Sequence, residues 1–212
     1  SAAVLVGSAM NLSAQVPQHP MYVDKLPTYV TDRGETKEQP FYMYFESWSP
    51  GSAITEDDNF YISRVRPQKR FSDEKSQVDP NMKLDRKLCW WCPIGVSDKS
   101  WGALPRYIMD ADNFSMWQYI DIHGNWSDGW IRVPGAFSDI AHRNGVENGC
   151  VLFFDSTVSD ASETGKTINT LIAKENGQFK NTRKLIQFMK YYGIDGLGIN
   201  PEGALSSGMV AP

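Results

Sequence analysis

The chain has 212 residues, 41% of them hydrophobic and 22% charged, and a formal net charge of −4. This is the composition of an ordinary globular protein, long enough for one large domain or two small ones. Lys and Arg are scattered, with no basic run beyond Arg64 to Arg70, so there is no electrostatic footprint for nucleic acid. Aromatic residues reach 12% and include seven Trp, which suits both sugar stacking and ordinary core packing.

Residues 1–15, SAAVLVGSAMNLSAQ, are apolar, rich in small side chains and end in Leu-Ser-Ala before Gln15. They read as the end of a secretory signal peptide, with a short buried helix or strand as the alternative. An exported protein is therefore expected. No other apolar run approaches the roughly 18 residues of a membrane span. Residues 16–86 are expected to form an N-terminal extension packing on the domain that follows. Within it, Val16 to Glu38 reads as extended and polar, and Phe41 to Trp48 as a short strand or helix. Pro50 to Asp58 is a loop by composition, Phe60 to Val65 a loose strand, and Phe71 to Asp85 an exposed connection. No repeat of 20–50 residues is present.

From Lys87 onward the pattern changes. Strands are expected at Lys87 to Trp91, Trp117 to Ile122, Gly149 to Phe154 and Ile194 to Ile199. The third is a continuous apolar run fit for burial on both faces. Phe137, Ile140 and Ala141 fall at helical spacing, with Gly145 placed to end the helix. Leu185, Ile186, Phe188, Met189 and Tyr192 form a second apolar stripe, closed by Gly193. Strands alternating with helices predict a parallel α/β architecture. The pattern leaves open whether the sheet is a barrel or an open doubly wound fold.

The last strand ends in Asn200-Pro201-Glu202. Strand residues two apart share a side, so an amide and a carboxyl project together from a C-terminal strand end. A carboxyl beside a neutral hydrogen-bonding partner suits general acid/base work. The plainer alternative is a surface carboxylate and a turn residue. Asp121 and His123, also two apart, are candidates to face the same pocket, against the commoner role of a hydrogen-bonded core histidine. Phe153 and Phe154 are candidates for sugar stacking or for core. Cys89-Trp-Trp-Cys92 has redox-pair spacing, but it falls on a strand without the helix start that lowers a thiol pKa. Buried apolar cysteine is the favoured reading there, and the three His show no zinc-finger spacing. N-x-S sequons occur at Asn11, Asn113 and Asn125.

Three blocks in order carry a resemblance: WQYIDIHG (Trp117 to Gly124), AHRNGV (Ala141 to Val146) and YYGIDGLGINPEG (Tyr191 to Gly203). Together they resemble glycoside hydrolase family 85, the endo-β-N-acetylglucosaminidases, over roughly Leu88 to Gly203. The resemblance implies a (β/α)8 TIM-type barrel, of which residues 87–212 would hold about the first four βα units, truncated. It implies hydrolysis of the GlcNAc-β1,4-GlcNAc core of N-linked glycans by a retaining, substrate-assisted mechanism through an oxazoline. Glu202 matches the family's general acid/base, and Asn200 the residue that orients the substrate acetamide. Asp155 and Phe154 are the implied substrate contacts, His123 joins them as a candidate from its strand position alone, and no metal or organic cofactor is implied. A chitinase-like DxDxE run would place Asp where Asn200 stands. Phe137 departs from the family's usual Trp in a Pro-Gly-Trp-like turn. The alternatives carried forward are a non-catalytic carbohydrate-binding protein of the same fold and, more remotely, a thiol–disulfide protein.

Overall fold

The computed structural model describes residues 26–52, 61–69, 81, 83, 85–92, 116–126, 129–154, 159–205 and 207–210. Strands β1 (Thr28–Val30) and β2 (Thr36–Glu38) form an antiparallel hairpin, followed by helix α1 (Phe41–Ser47). Strands β3 (Cys89–Cys92), β4 (Ile122–Trp126) and β5 (Glu147–Phe154) come next, with helix α2 (Gly135–Arg143) between β4 and β5. Helix α3 (Glu163–Ile172), a small hairpin of β6 (Lys174–Glu175) and β7 (Gln178–Phe179), and helix α4 (Thr182–Tyr192) lead to β8 (Gly196–Pro201) and the short α5 (Ser207–Val210).

The main sheet has the order β3-β4-β5-β8, every pair parallel. Strands therefore neighbour each other in the order in which the chain makes them, without a reversal. Cys150 and Leu152 of β5 point into one core with Phe41 and Tyr44 of α1, Ile168 of α3, and Phe188 and Tyr192 of α4. Asn148, on the same side of β5, donates to Ser138 Oγ of α2 at 2.7 Å. So the described helices cover one face. A doubly wound sheet would reverse its strand order and carry helices on both faces. Sequential order with one covered face is the wall of a half-barrel instead.

The other face is floored by glycine. The indole of Trp91 lies across β4, β5 and β8. A Cβ on Gly124 would overlap it, and Cβ atoms on Gly149 and Gly198 would stand 3.1 Å and 3.5 Å from it. Gly inside a strand weakens it and marks a close approach. Here three adjacent strands give up side chains so that one indole can lie flat.

The aromatic run Phe41 to Trp48 is a helix because its buried positions, Phe41, Tyr44, Phe45 and Trp48, fall at helical spacing. They surround Phe188, whose ring centroid lies 5.0 Å from that of Trp48 and 4.9 Å from that of Tyr192. The hydroxyl groups of Tyr44 and Tyr192 lie 3.3 Å apart, and Tyr192 donates to the Ser52 carbonyl at 3.0 Å.

Several expectations shift. The second strand is not Trp117 to Ile122. Trp117–Tyr119 is a 3₁₀ turn, and the strand is Ile122–Trp126. Trp117 and Ile120 bury in a small cluster with Ala141 and Val146, which closes the lower end of α2. The first and fourth strands also begin two residues later than expected. Residues 61–69 are irregular rather than a strand. In α2, Ile140 is 44% exposed, and Ser138, Ala141 and His142 are buried in its place. Helix α3 was not signalled by the apolar pattern. Its N-cap Ser162 accepts from the Gly165 N–H at 2.9 Å. The β6–β7 turn is Asn176-Gly177, both at positive φ, as a two-residue hairpin requires.

A polar clamp joins the lower ends of these elements. His142 is 1% exposed. Its Nε2 lies 2.7 Å from Asp195 Oδ2, and its Nδ1 donates to the Val65 carbonyl. Only the imidazolium can donate at both nitrogens. Asp195 Oδ2 also accepts from the Asn148 N–H at 2.8 Å, and the Asp195 N–H returns to the Asn148 carbonyl at 2.7 Å. Asp139 Oδ1 accepts from the Ser63 hydroxyl and from the amides of Arg64 and Val65. Gly193 ends α4 at φ 75°, and a Cβ there would overlap Ser63. Burial alone would depress the His142 pKa. The bonds to Asp195 and Val65, with the charges of Asp195 and Asp139, outweigh burial and hold it above the usual histidine value.

Two outcomes are expected in urea denaturation. Phe188→Ala empties the centre of the aromatic core and should cost about 3–5 kcal/mol. The His142 ion pair contributes stability that is full below the unfolded histidine value, near 6.5, and fades as pH rises through the raised folded value. The denaturation midpoint should therefore drop on the alkaline side, and His142→Gln should remove that drop. His142→Ala should cost about 3 kcal/mol near neutrality, the low end for a broken buried pair because the Asp195 side chain is 26% exposed.

Candidate active site

Strand β8 reads Gly-Leu-Gly-Ile-Asn-Pro. Leu197 pairs with Cys150 and packs against the helix-covered core. Gly196 and Gly198 alternate with it and face the open side, where Trp91 lies. Asn200 continues that open side at the C-terminal end. Pro201 completes the strand, where a missing N–H is tolerated. Glu202 follows immediately and is exposed. Asn200 Nδ2 donates to Glu202 Oε1 at 3.3 Å. The structure thus brings an amide and a carboxylate together on the C-terminal rim of a parallel sheet. In β/α barrels that rim carries the chemistry.

The expected sugar contacts are placed differently from one another. Phe154 ends β5, opposite Pro201, and Phe153 is the residue opposite Asn200. Asp155 lies outside the described residues. His123 is 4% exposed on β4, in register with Asn148, whose side chain reaches toward α2. Its ring stacks on Phe137 at 6.2 Å with planes 7° apart, and lies 5.5 Å from Trp117. His123 is therefore on the helix-covered face and is not brought to the Asn200–Glu202 pair. Burial pushes its pKa down, against a side-chain hydrogen bond to Asn148 that raises it. Phe137, nominated for the apolar stripe of a helix, sits in the first turn of α2 and packs inward.

Asp121 serves the chain rather than a pocket, accepting from the Leu88 N–H at 2.8 Å. Cys89 is half-buried and burial pushes its thiol pKa up, the wrong direction for a reactive thiolate. Asn125, a sequon residue, is 2% exposed, and its Nδ2 donates to the Arg132 carbonyl at 3.3 Å. A folded chain cannot carry a glycan there. Asn11 and Asn113 lie outside the described residues.

Cavities among the described residues lie beside the sheet. One, about 260 Å³, lies between the starts of α1 and α3 beside Trp130. Another, about 360 Å³, opens at the clamp, between Arg64, Arg66 and Lys190. The Asn200–Glu202 pair lines neither and stands on the open concave face. Trp91 on its glycine floor and the His142–Asp195 clamp are the parts that the sequence reading missed. Gly149 and Gly198 in two predicted strands, with Gly124 just past a third, were the available signal for Trp91. No apolar periodicity marks the clamp.

Comparison with known proteins bears on this geometry. Residues 103–211, just over half of the chain, match the model for glycosyl hydrolase family 85. Over 94 residues the chain is 32% identical to the cytosolic endo-β-N-acetylglucosaminidase of Danio rerio, covering 44% of this chain and 12% of that protein. The crystal structure of the Endo-D glycoside hydrolase domain from Streptococcus pneumoniae R6 is similar in fold, with a TM-score of 0.57 and 23% identity. That likeness covers 84% of this chain and 27% of the other. The chain thus spans well under half the length of the relatives it matches. The expectation of an exported protein is corrected: the curated relative is a cytosolic enzyme, and residues 1–15, which suggested a leader, lie outside the described residues. Among the described residues no helix is long and apolar enough to cross a membrane. The family match spans the sheet from before β4 through Asn200 and Glu202, and the chain belongs to glycosyl hydrolase family 85.

Proposed function

We propose that this chain carries the reacting pair of an endo-β-N-acetylglucosaminidase that hydrolyses the GlcNAc-β1,4-GlcNAc core of N-linked glycans. The observation that carries the reading is Asn200 within 3.3 Å of Glu202 on the C-terminal rim of the sheet, in a member of family 85. In this reading the four parallel strands belong to a (β/α)8 barrel, and residues 16–86 are an extension packed on it.

Glu202 acts as the general acid and gives its proton to the glycosidic oxygen as the bond to C1 breaks. The substrate's own 2-acetamido oxygen attacks C1 and forms an oxazolinium ring that keeps the N–H proton, while the GlcNAc on the peptide side leaves through its O4. Asn200 holds the acetamide by hydrogen bonding, with its oxygen aimed at C1. The Glu202 carboxylate then takes a proton from water as that water attacks C1. The ring opens, the acetamide is restored, and the configuration at C1 is retained. Ordinary retaining glycosidases use a second carboxylate as the nucleophile. An amide as the partner of Glu202 supports the substrate-assisted route. Phe154 and Asp155 are proposed to line the sugar site.

A glycopeptide with an intact chitobiose core tests the reading. Glu202→Gln keeps the shape without the transferable proton and should lose about 10²–10⁴-fold in kcat. Binding of the glycan without any turnover by the unaltered protein would instead favour the non-catalytic reading. Asn200→Ala should lose hydrolysis of the intact glycan but still process a preformed sugar oxazoline, because the acetamide no longer needs orienting. Equal loss on both substrates would remove the acetamide role from Asn200.

A further inference from the structure

The strand that ends in Asn200 and Glu202 has little of its own to fix its register. Two of its residues are glycines, Ile199 is 55% exposed, and the core contact of the strand is left to Leu197. Gly-rich strands with weak packing are prone to slip, and a slip of one residue turns every side chain to the other face. Such a slip would carry Asn200 from the concave side to the helix side. Backbone ladder bonds do not prevent it, since a shifted ladder makes similar bonds.

What distinguishes one register from another lies at the opposite end of the strand, about 16 Å from Asn200 at 3.3 Å per residue. There Asp195 takes the Asn148 N–H and the His142 imidazolium on one oxygen, and returns its own N–H to Asn148. His142 in turn is tied to α2 by the chain and to residue 65 by its second N–H. Those bonds exist in one register only. Three elements therefore agree on where β8 stands.

We infer that His142 and Asp195 are positioning residues for the Asn200–Glu202 pair, locking β8 against β5 and α2 so that both side chains project on the concave rim. The inference rests on the reading of that pair as the site, and neither His142 nor Asp195 touches substrate. The groups facing the imidazolium are Asp195 before β8, Asp139 on its own helix, Arg64 and Arg66 on the segment above it, and Lys190 at the end of α4. The two carboxylates favour the cation. The three exposed basic groups oppose it more weakly across solvent. Loss of the proton removes one of the two N–H donors and leaves Val65 or Asp195 facing a lone pair.

The experiment is a pH titration of the ¹⁵N-labelled full chain by NMR, following the His142 ring nitrogens and the Asn200 side-chain amide together. Both ring nitrogens should be protonated at neutral pH, and the Asn200 amide signals should move on the alkaline side with the His142 midpoint. Asp195→Asn should bring both midpoints to lower pH by the same amount. Glu202→Gln removes the neighbouring carboxylate from the signal and should leave the coupling in place. A His142 titration that leaves the Asn200 amide unmoved, or a ring already neutral at pH 7, overturns the inference. The unaltered chain suffices for the test, so a variant that fails to fold does not decide it. Absence of glycan hydrolysis would count against the proposed function alone, because this measurement reads Asn200 directly.

Discussion

One carboxylate oxygen, Asp195 Oδ2, stands between the covered half of the molecule and its open rim. It accepts from a backbone N–H of β5 and from a buried imidazolium on α2, while its own amide closes the loop back to β5. The sheet, α2 and residues 61–69 meet there. A buried pair of this kind is weak evidence for stability by itself, because desolvation offsets most of its attraction. Its value is directional. Hydrophobic contacts in the aromatic core around Phe188 tolerate small shifts, whereas the bonds at Asp195 do not.

The concave face has the complementary problem. A barrel interior is ordinarily filled by layers of bulky branched side chains. Here Gly124, Gly149 and Gly198 vacate that space and a single indole takes it. Three strands lose side-chain packing, and β8 loses most of its own. The gain is a flat floor on which Asn200 is not crowded from below. The open face thus loosens the strand that carries the proposed reacting pair, and the clamp on the far end is the part proposed to compensate. These two features form one arrangement.

Much of this was legible in the sequence, and the parts that were not share a physical cause. The strand–helix alternation from β4 to β8 follows from apolar runs and from glycine stops such as Gly193, whose positive φ no other residue adopts cheaply. The Asn200–Glu202 pair was visible because alternation along a strand is rigid, and two residues apart means one side. The choice of a barrel over a doubly wound sheet came from the family resemblance and not from periodicity, since it depends on which face each helix takes. The second strand was misplaced by five residues because Trp117 and Ile120 look like strand residues, yet cap a helix end instead. His123 was drawn toward the pocket by its neighbour Asp121, but β4 is covered on that side by Phe137 and Trp117.

The most instructive miss is α2. Its apolar spacing nominates Phe137, Ile140 and Ala141, yet Ile140 is out in solvent and the helix buries Ser138 and His142. A polar residue on a buried face is costly unless its partners are waiting. Ser138 receives the amide of Asn148, and His142 receives Asp195 and the Val65 carbonyl. Periodicity scores each residue alone, whereas this face is favourable only as a set drawn from four separate stretches of chain. Places where a sequence breaks its local rules are expected at sites under functional demand. In this chain the break falls not at the proposed reacting pair, whose residues are ordinary for a strand end, but at the clamp proposed to fix where that pair stands.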